Sequence, residues 1–125
     1  MRHLKRLAAV ILICGLAVLV FAQLSQTDRA RLQQLRNLGK AFYENPTTQK
    51  EAAEQFRQAL ALAPGSSREQ LNYALALLRA GDTESGITQL EKAQKLDPSL
   101  PHTWFNLGIA YQKQGDLDRA CAQFQ

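Results

Sequence analysis

A chain of 125 residues has room for one domain, and its formal charge of +4 is concentrated at one end. Arg2, Lys5 and Arg6 precede an apolar run, and beyond residues 1–22 twelve Lys and Arg face eleven Asp and Glu. That near-neutral remainder lacks the clustered basic stripe that nucleic acid requires, which excludes nucleic acid as a partner.

The first segment has the form of an export signal. A positive stretch, Met1–Arg6, leads into Leu7–Val20, and Val20-Phe21-Ala22 places small or modest side chains where a signal peptidase inspects the chain. As a helix, Leu7–Ala22 would reach about 24 Å at roughly 1.5 Å per residue, short of a hydrocarbon core of about 30 Å. Residues 1–22 are therefore either a cleaved signal peptide or a retained membrane anchor. The expected location is exported: periplasmic or otherwise extracytoplasmic, or anchored to the cytoplasmic membrane by residues 7–22. Ile13, before Cys14, argues against lipid attachment there. With Cys14 inside this segment, Cys121 is the single remaining thiol, so no disulfide can staple the fold.

Residues 23–31 read as a linker and the start of a first helix. Beyond them the chain repeats itself with a period of 34 residues. Pro64 and Pro98 stand that far apart, as do Gly81 and Gly115, while Phe56, Leu90 and Phe124 form an evenly spaced triplet. Small residues recur at Ala52, Gly86 and Ala120 with the same period, and at Gly39, Ala74 and Gly108 with steps of 35 and 34. The extra residue falls in Pro46–Lys50, where a loop can absorb it. Three units follow: 32–66, 67–100 and a shortened 101–125.

Each unit predicts two helices. In the third, Trp104, Leu107, Gly108 and Tyr111 lie on one helical stripe. Gly115-Asp116 supplies a C-cap glycine and then an N-cap aspartate, and Gly81-Asp82 repeats that break. Thr48 with Glu51, and Ser66 with Glu69, are spaced as capping boxes. Pro64 and Pro98 close the second helices because neither can continue the hydrogen-bond ladder. The periodic small residues let paired helices approach, and Phe56, Leu90 and Phe124 are expected between them.

Trp104-x2-Leu107-Gly108-x2-Tyr111, continued by Ala120-x3-Phe124, resembles the tetratricopeptide-repeat (TPR) signature. The second unit departs from it at Gln70, which is expected to weaken one contact, at Ala74 and at Gly86. The first unit carries Leu35 in place of the tryptophan. The resemblance covers residues 32–125 and implies an all-α, helix-turn-helix TPR solenoid of about three repeats, the last incomplete, of the exported bacterial type. The third unit stops before the polar helix that usually covers the end of such a stack. That points to the N-terminal piece of a longer chain, or to an end surface that associates.

The resemblance also implies that positions 2, 5, 6, 9, 12 and 13 of each first helix line a concave face. The sixth position is asparagine three times, at Asn37, Asn72 and Asn106. Carboxamides can both donate to and accept from an extended peptide backbone; the plain alternative is that they contact only water or a neighbouring helix. Around them stand Arg36, Lys40, Arg68, Arg79, His102 and Lys113, able to hold a carboxylate or simply solvated. A full carboxylate clamp is incomplete, since His102 and Asn106 occupy places that usually carry Lys and Arg. Leu71, Leu75, Phe105 and Ile109 are the apolar candidates, with contact to the adjacent unit as the alternative.

Nothing in this pattern points to chemistry. Cys121 occupies a place where the family keeps a packed apolar residue, and a buried apolar thiol is inert. His102 is the one histidine beyond the targeting segment, so no metal site can be assembled. No cofactor, metal or catalytic residue is expected. The reading is a non-catalytic scaffold that holds a peptide or protein segment on the concave face, touching a membrane only through an uncleaved N-terminal segment. The alternative is an assembly unit that docks on a downstream domain or self-associates through its uncapped last repeat.

Overall fold

The structure is a computed structural model that describes residues 24–125; the export segment lies outside the described residues. The chain divides between Arg31 and Leu32 into two units. Of the first unit, residues 24–31 are described, and there Ser25 begins a helix. Its Oγ accepts from the Asp28 backbone N–H at 3.0 Å and donates to the Asp28 carboxylate at 2.7 Å. That satisfies one of the amides every helix start leaves open.

The described residues form six helices in chain order: α1 Gln26–Glu44, α2 Gln49–Leu62, α3 Ser67–Arg79, α4 Thr83–Leu96, α5 Pro101–Lys113 and α6 Leu117–Phe124. The described residues contain no strand, and none of their helices is long and apolar enough to cross a membrane. From Leu32 onward the helices form three antiparallel hairpins, α1–α2, α3–α4 and α5–α6.

The breaks within the second and third hairpins have one cause. Gly81 and Gly115 take φ of +88° and +80°, a left-handed conformation that a β-carbon disfavours. Each completes a Schellman turn: Asp82 N–H donates to Leu77 O at 3.0 Å, and Asp116 N–H to Tyr111 O at 2.9 Å. The same aspartates then cap the next helix, accepting from Ser85 N at 3.2 Å and Arg119 N at 3.0 Å. One Gly-Asp pair thus ends one helix and starts another. Pro64 and Pro98 lie just past α2 and α4.

Two expected capping boxes form differently. Thr48 precedes α2 without a side-chain cap, because its hydroxyl donates back to Phe42 O at 3.0 Å and ties the longer loop to α1. Ser66 does cap α3, accepting from Glu69 N at 3.3 Å. The Glu69 carboxylate, however, does not return to Ser66. It is buried and takes both Nε and Nη2 of Arg36 on α1.

The small residues sit where hairpins and repeats touch. A β-carbon on Gly39 would fall 2.9 Å from the Phe56 ring, one on Gly86 would fall 2.6 Å from Leu78 Cδ2, and one on Gly108 would strike the Phe124 ring. Ala52 and Ala74 are fully buried and Ala120 nearly so. The core has two parts. Ala52, Ala53 and Phe56 of α2 pack with Ala76 and Leu77 of α3. Leu71, Ala74, Ile87 and Leu90 of the second hairpin pack with Leu107, Ala110 and Tyr111 of α5. Leu35, Leu90 and Leu107 are wholly inside, each contributing about 1.5–3 kcal/mol by burial.

Three expectations need correction. Gln70, in the place of the signature tryptophan, does not leave a weak contact: it is buried and donates to the Gln89 carboxamide at 2.5 Å. Phe124 is 52% exposed, unlike Phe56 and Leu90, because only the α5 side of its ring is covered. Cys121 is exposed on α6 rather than packed, since Ala120 takes the inward position there. Tyr111 shows what a buried polar tip requires. Its hydroxyl donates to Glu91 at 2.5 Å, and burial together with that carboxylate pushes the phenol up to about 12.

Candidate functional site

The first helices of successive hairpins lie side by side, so residues at the same place in each first helix form columns running across the repeats. Two adjacent depressions follow those columns. One is lined by Gln33, Arg36, Asn37, Lys40, Tyr43, Phe56, Asn72 and Leu75. The other is lined by Tyr43, Leu75, Leu78, Arg79, Thr83, Asn106, Ile109, Ala110 and Lys113. Tyr43 and Leu75 belong to both, so the two form one continuous groove across α1, α3 and α5.

The polar groups along it are held unequally. Asn37 accepts at Oδ1 from Gln33 Nε2 at 2.9 Å, which leaves its N–H groups to face outward. Asn106 donates one N–H to the His102 carbonyl at 2.7 Å, which leaves its Oδ1 available. Asn72 stands between them, half-buried. A row of carboxamides with both donors and acceptors to spare can pair with a main chain whatever its side chains.

The cations differ as well. Arg36 is committed to buried Glu69, so its positive charge is largely neutralised from below while its side chain stays 30% exposed. Arg79 lies over the Tyr43 ring, its guanidinium carbon 4.7 Å from the centroid, which braces α3 against α1. Lys40 and Lys113 line the two ends of the groove, and no carboxylate is among the lining residues of either depression.

The structure thus brings together Arg36, Asn37, Lys40, Asn72, Leu75, Arg79, Asn106, Ile109 and Lys113. It leaves Arg68 and His102 exposed and outside the lining. Leu71 is buried in the core against α5. Phe105 lies on a different surface, its ring 6.3 Å from that of Phe124, beside Pro98 and Trp104. Tyr43, Leu78 and Gln33 join the groove without having been singled out from the sequence. The signal was present, since Tyr43 and Leu78 occupy the twelfth position of their helices and Gln33 the second. Among the described residues no cluster of His, Cys, Asp and Glu could hold a metal ion.

A family model described as a TPR repeat matches residues 74–115. The chain is 30% identical over 92 residues to the Vi polysaccharide export protein VexE of Salmonella typhi, covering 71% of this chain but only 14% of that protein. Solved structures share the fold, and two of them hold a bound partner. One is PcrH in complex with the chaperone-binding region of PopB, with a TM-score of 0.71, 24% identity, and coverage of 81% of this chain and 78% of that one. The other is the second TPR of Spaghetti (RPAP3) bound to the HSP90 peptide SRMEEVD, with a TM-score of 0.72, 21% identity, and coverage of 88% and 92%. The all-helical architecture of the described residues is that of a TPR solenoid.

Proposed function

We propose that this chain is a non-catalytic scaffold that holds an extended peptide or protein segment in the groove across α1, α3 and α5. The observation that carries the reading is the continuity of the groove. One row of asparagines passes through two depressions joined at Tyr43 and Leu75, with cations at both ends and no lining carboxylate. Backbone pairing by Asn37, Asn72 and Asn106 supplies affinity for any extended chain, while Leu75 and Ile109 offer an apolar seat between Lys40 and Lys113. The two similar structures each contain a bound peptide or protein segment, which supports a protein ligand. With residues 1–22 read as an export segment, the scaffold works outside the cytoplasm or on the membrane surface.

A displayed library of random peptides tests this directly. Peptides selected on the wild-type chain should lose about tenfold in affinity on Asn72→Ala with Asn106→Ala, since each lost hydrogen bond is worth about 0.5–1.5 kcal/mol. Helicity should be unchanged, because neither side chain is in the core. Undiminished capture by the double variant refutes the groove as the site.

A further inference from the structure

The groove is not uniform in charge, and its second depression, between α3 and α5, has the makings of a side-chain site. Its volume of about 240 Å³ is below the roughly 300–1,000 Å³ of pockets that enclose a separate small molecule, so it suits one side chain of a longer ligand. Arg79 and Lys113 both line it. They are 34 residues apart and hold the same place in successive repeats, where α1 carries Glu44 instead. Neither cation is in an ion pair among the described residues. In the first depression, by contrast, Arg36 is bound to Glu69, and Lys40 stands alone. The carboxylates close to the second depression along the chain are turned elsewhere. Asp82 accepts from Ser85 N and lines a separate depression with Lys50 and Arg57, and Asp116 pairs with Arg119.

Arg79 is also held in place. Its guanidinium rests over the Tyr43 ring at 4.7 Å, so one flat face is occupied and the N–H groups at its rim remain for a carboxylate. Asn72 and Asn106 lie seven residues before Arg79 and Lys113 on the same two helices, roughly 10 Å along the axis at about 1.5 Å per residue. Leu75 and Ile109 stand between them in the lining. A main chain paired with the asparagines therefore does not itself meet the two cations. A side chain directed along the helices does, with its methylenes on Leu75 and Ile109 and its charge between Arg79 and Lys113. Thr83, at the start of α4, adds a lining hydroxyl that can donate to the same group. Resting on the peptide-groove reading above, we infer that this depression selects a glutamate side chain of the bound segment. Aspartate is one methylene shorter, and glutamine lacks the charge.

The test uses the full chain, purified in a non-denaturing detergent. Peptides recovered on it from the random library are synthesised with both termini blocked and titrated by fluorescence anisotropy. They should share a glutamate at one place, and its change to glutamine should weaken binding about tenfold. Lys113→Gln should cut that preference to about threefold, and Arg79→Gln with Lys113→Gln should abolish it, glutamate and glutamine peptides then binding alike. Arg79 braces α1, so folding of the double variant is checked by circular dichroism. Lys113 is exposed and outside the core, so its single change tests the site even if the double variant unfolds. Cations that serve only the C-terminal ends of their own helices would leave the preference intact. That outcome, equal binding of the aspartate peptide, or recovered peptides with no shared acid overturns the glutamate site. The groove itself then stands if the same peptides still weaken on Asn72→Ala with Asn106→Ala, and peptides indifferent to that change overturn groove and glutamate site together. Peptides that lose binding once the C-terminus is blocked overturn the inference too, since their carboxylate is then the chain end.

Discussion

The ion pair between α1 and α3 should respond unequally to removal of its two members. Glu69 is fully buried, and its Oε2 has no hydrogen-bond partner, whereas the Arg36 side chain is 30% exposed. Arg36→Met keeps the aliphatic stem that covers the carboxylate but removes the Arg36 counter-charge. Stranding a buried charge in this way costs about 3–5 kcal/mol. Glu69→Met does the reverse, removing the buried charge and leaving a guanidinium that can turn to water, so it should cost less than about 1 kcal/mol. The double variant should return close to wild-type stability, since apolar groups of similar volume replace a buried pair at little cost. Urea unfolding followed by circular dichroism gives the three values and the coupling between the sites. In a stack whose stability is a sum over repeats and junctions, the loss should appear first as exchange of amides in α1 and α2, before those of α4 and α5. Equal costs for the two single changes would refute the assignment of Glu69 as a buried carboxylate that depends on Arg36.

Two further predictions are simpler. Gly81→Ala should cost about 1–2 kcal/mol because φ is +88° there, whereas Gly65→Ala, with open space around its β-carbon, should gain roughly 0.4–1 kcal/mol in the same unfolding assay. The raised phenol of Tyr111 stabilises the fold only while it is protonated; that contribution is complete below pH 10.0 and disappears as pH rises toward about 12. Stability measured across that window should therefore fall more steeply for the wild type than for Tyr111→Phe, and equal slopes would refute the buried-phenol reading.

Much of the architecture can be read from local chemistry. Gly81-Asp82 and Gly115-Asp116 form breaks because a glycine is needed at positive φ and an aspartate can cap the following amides. Both requirements act within six residues of chain, so spacing alone reveals them. The small residues at Gly39, Ala74 and Gly108 are legible for a related reason: they recur at the repeat period, and a β-carbon on either glycine would collide with an aromatic ring. The row Asn37, Asn72 and Asn106 follows once the helices are known to be in register.

Other features depend on which repeats lie next to each other. Glu69 is spaced to return to Ser66, yet its partner is Arg36, 33 residues away, because α1 brings a guanidinium over the first turn of α3. Cys121 and Ala120 are neighbours in sequence, and only the direction α6 faces decides which is inside. Phe105 and Leu71 hold the same place in the repeat; one is exposed and the other buried because only the second has a helix stacked upon it. The sequence by itself determined the helices, their breaks and their 34-residue period, since these arise from backbone preference and side-chain size along the chain. The tertiary structure decided which charge is neutralised, which thiol and rings meet water, and that Tyr43 joins two depressions into one groove. Those outcomes depend on contacts between helices that are distant along the chain.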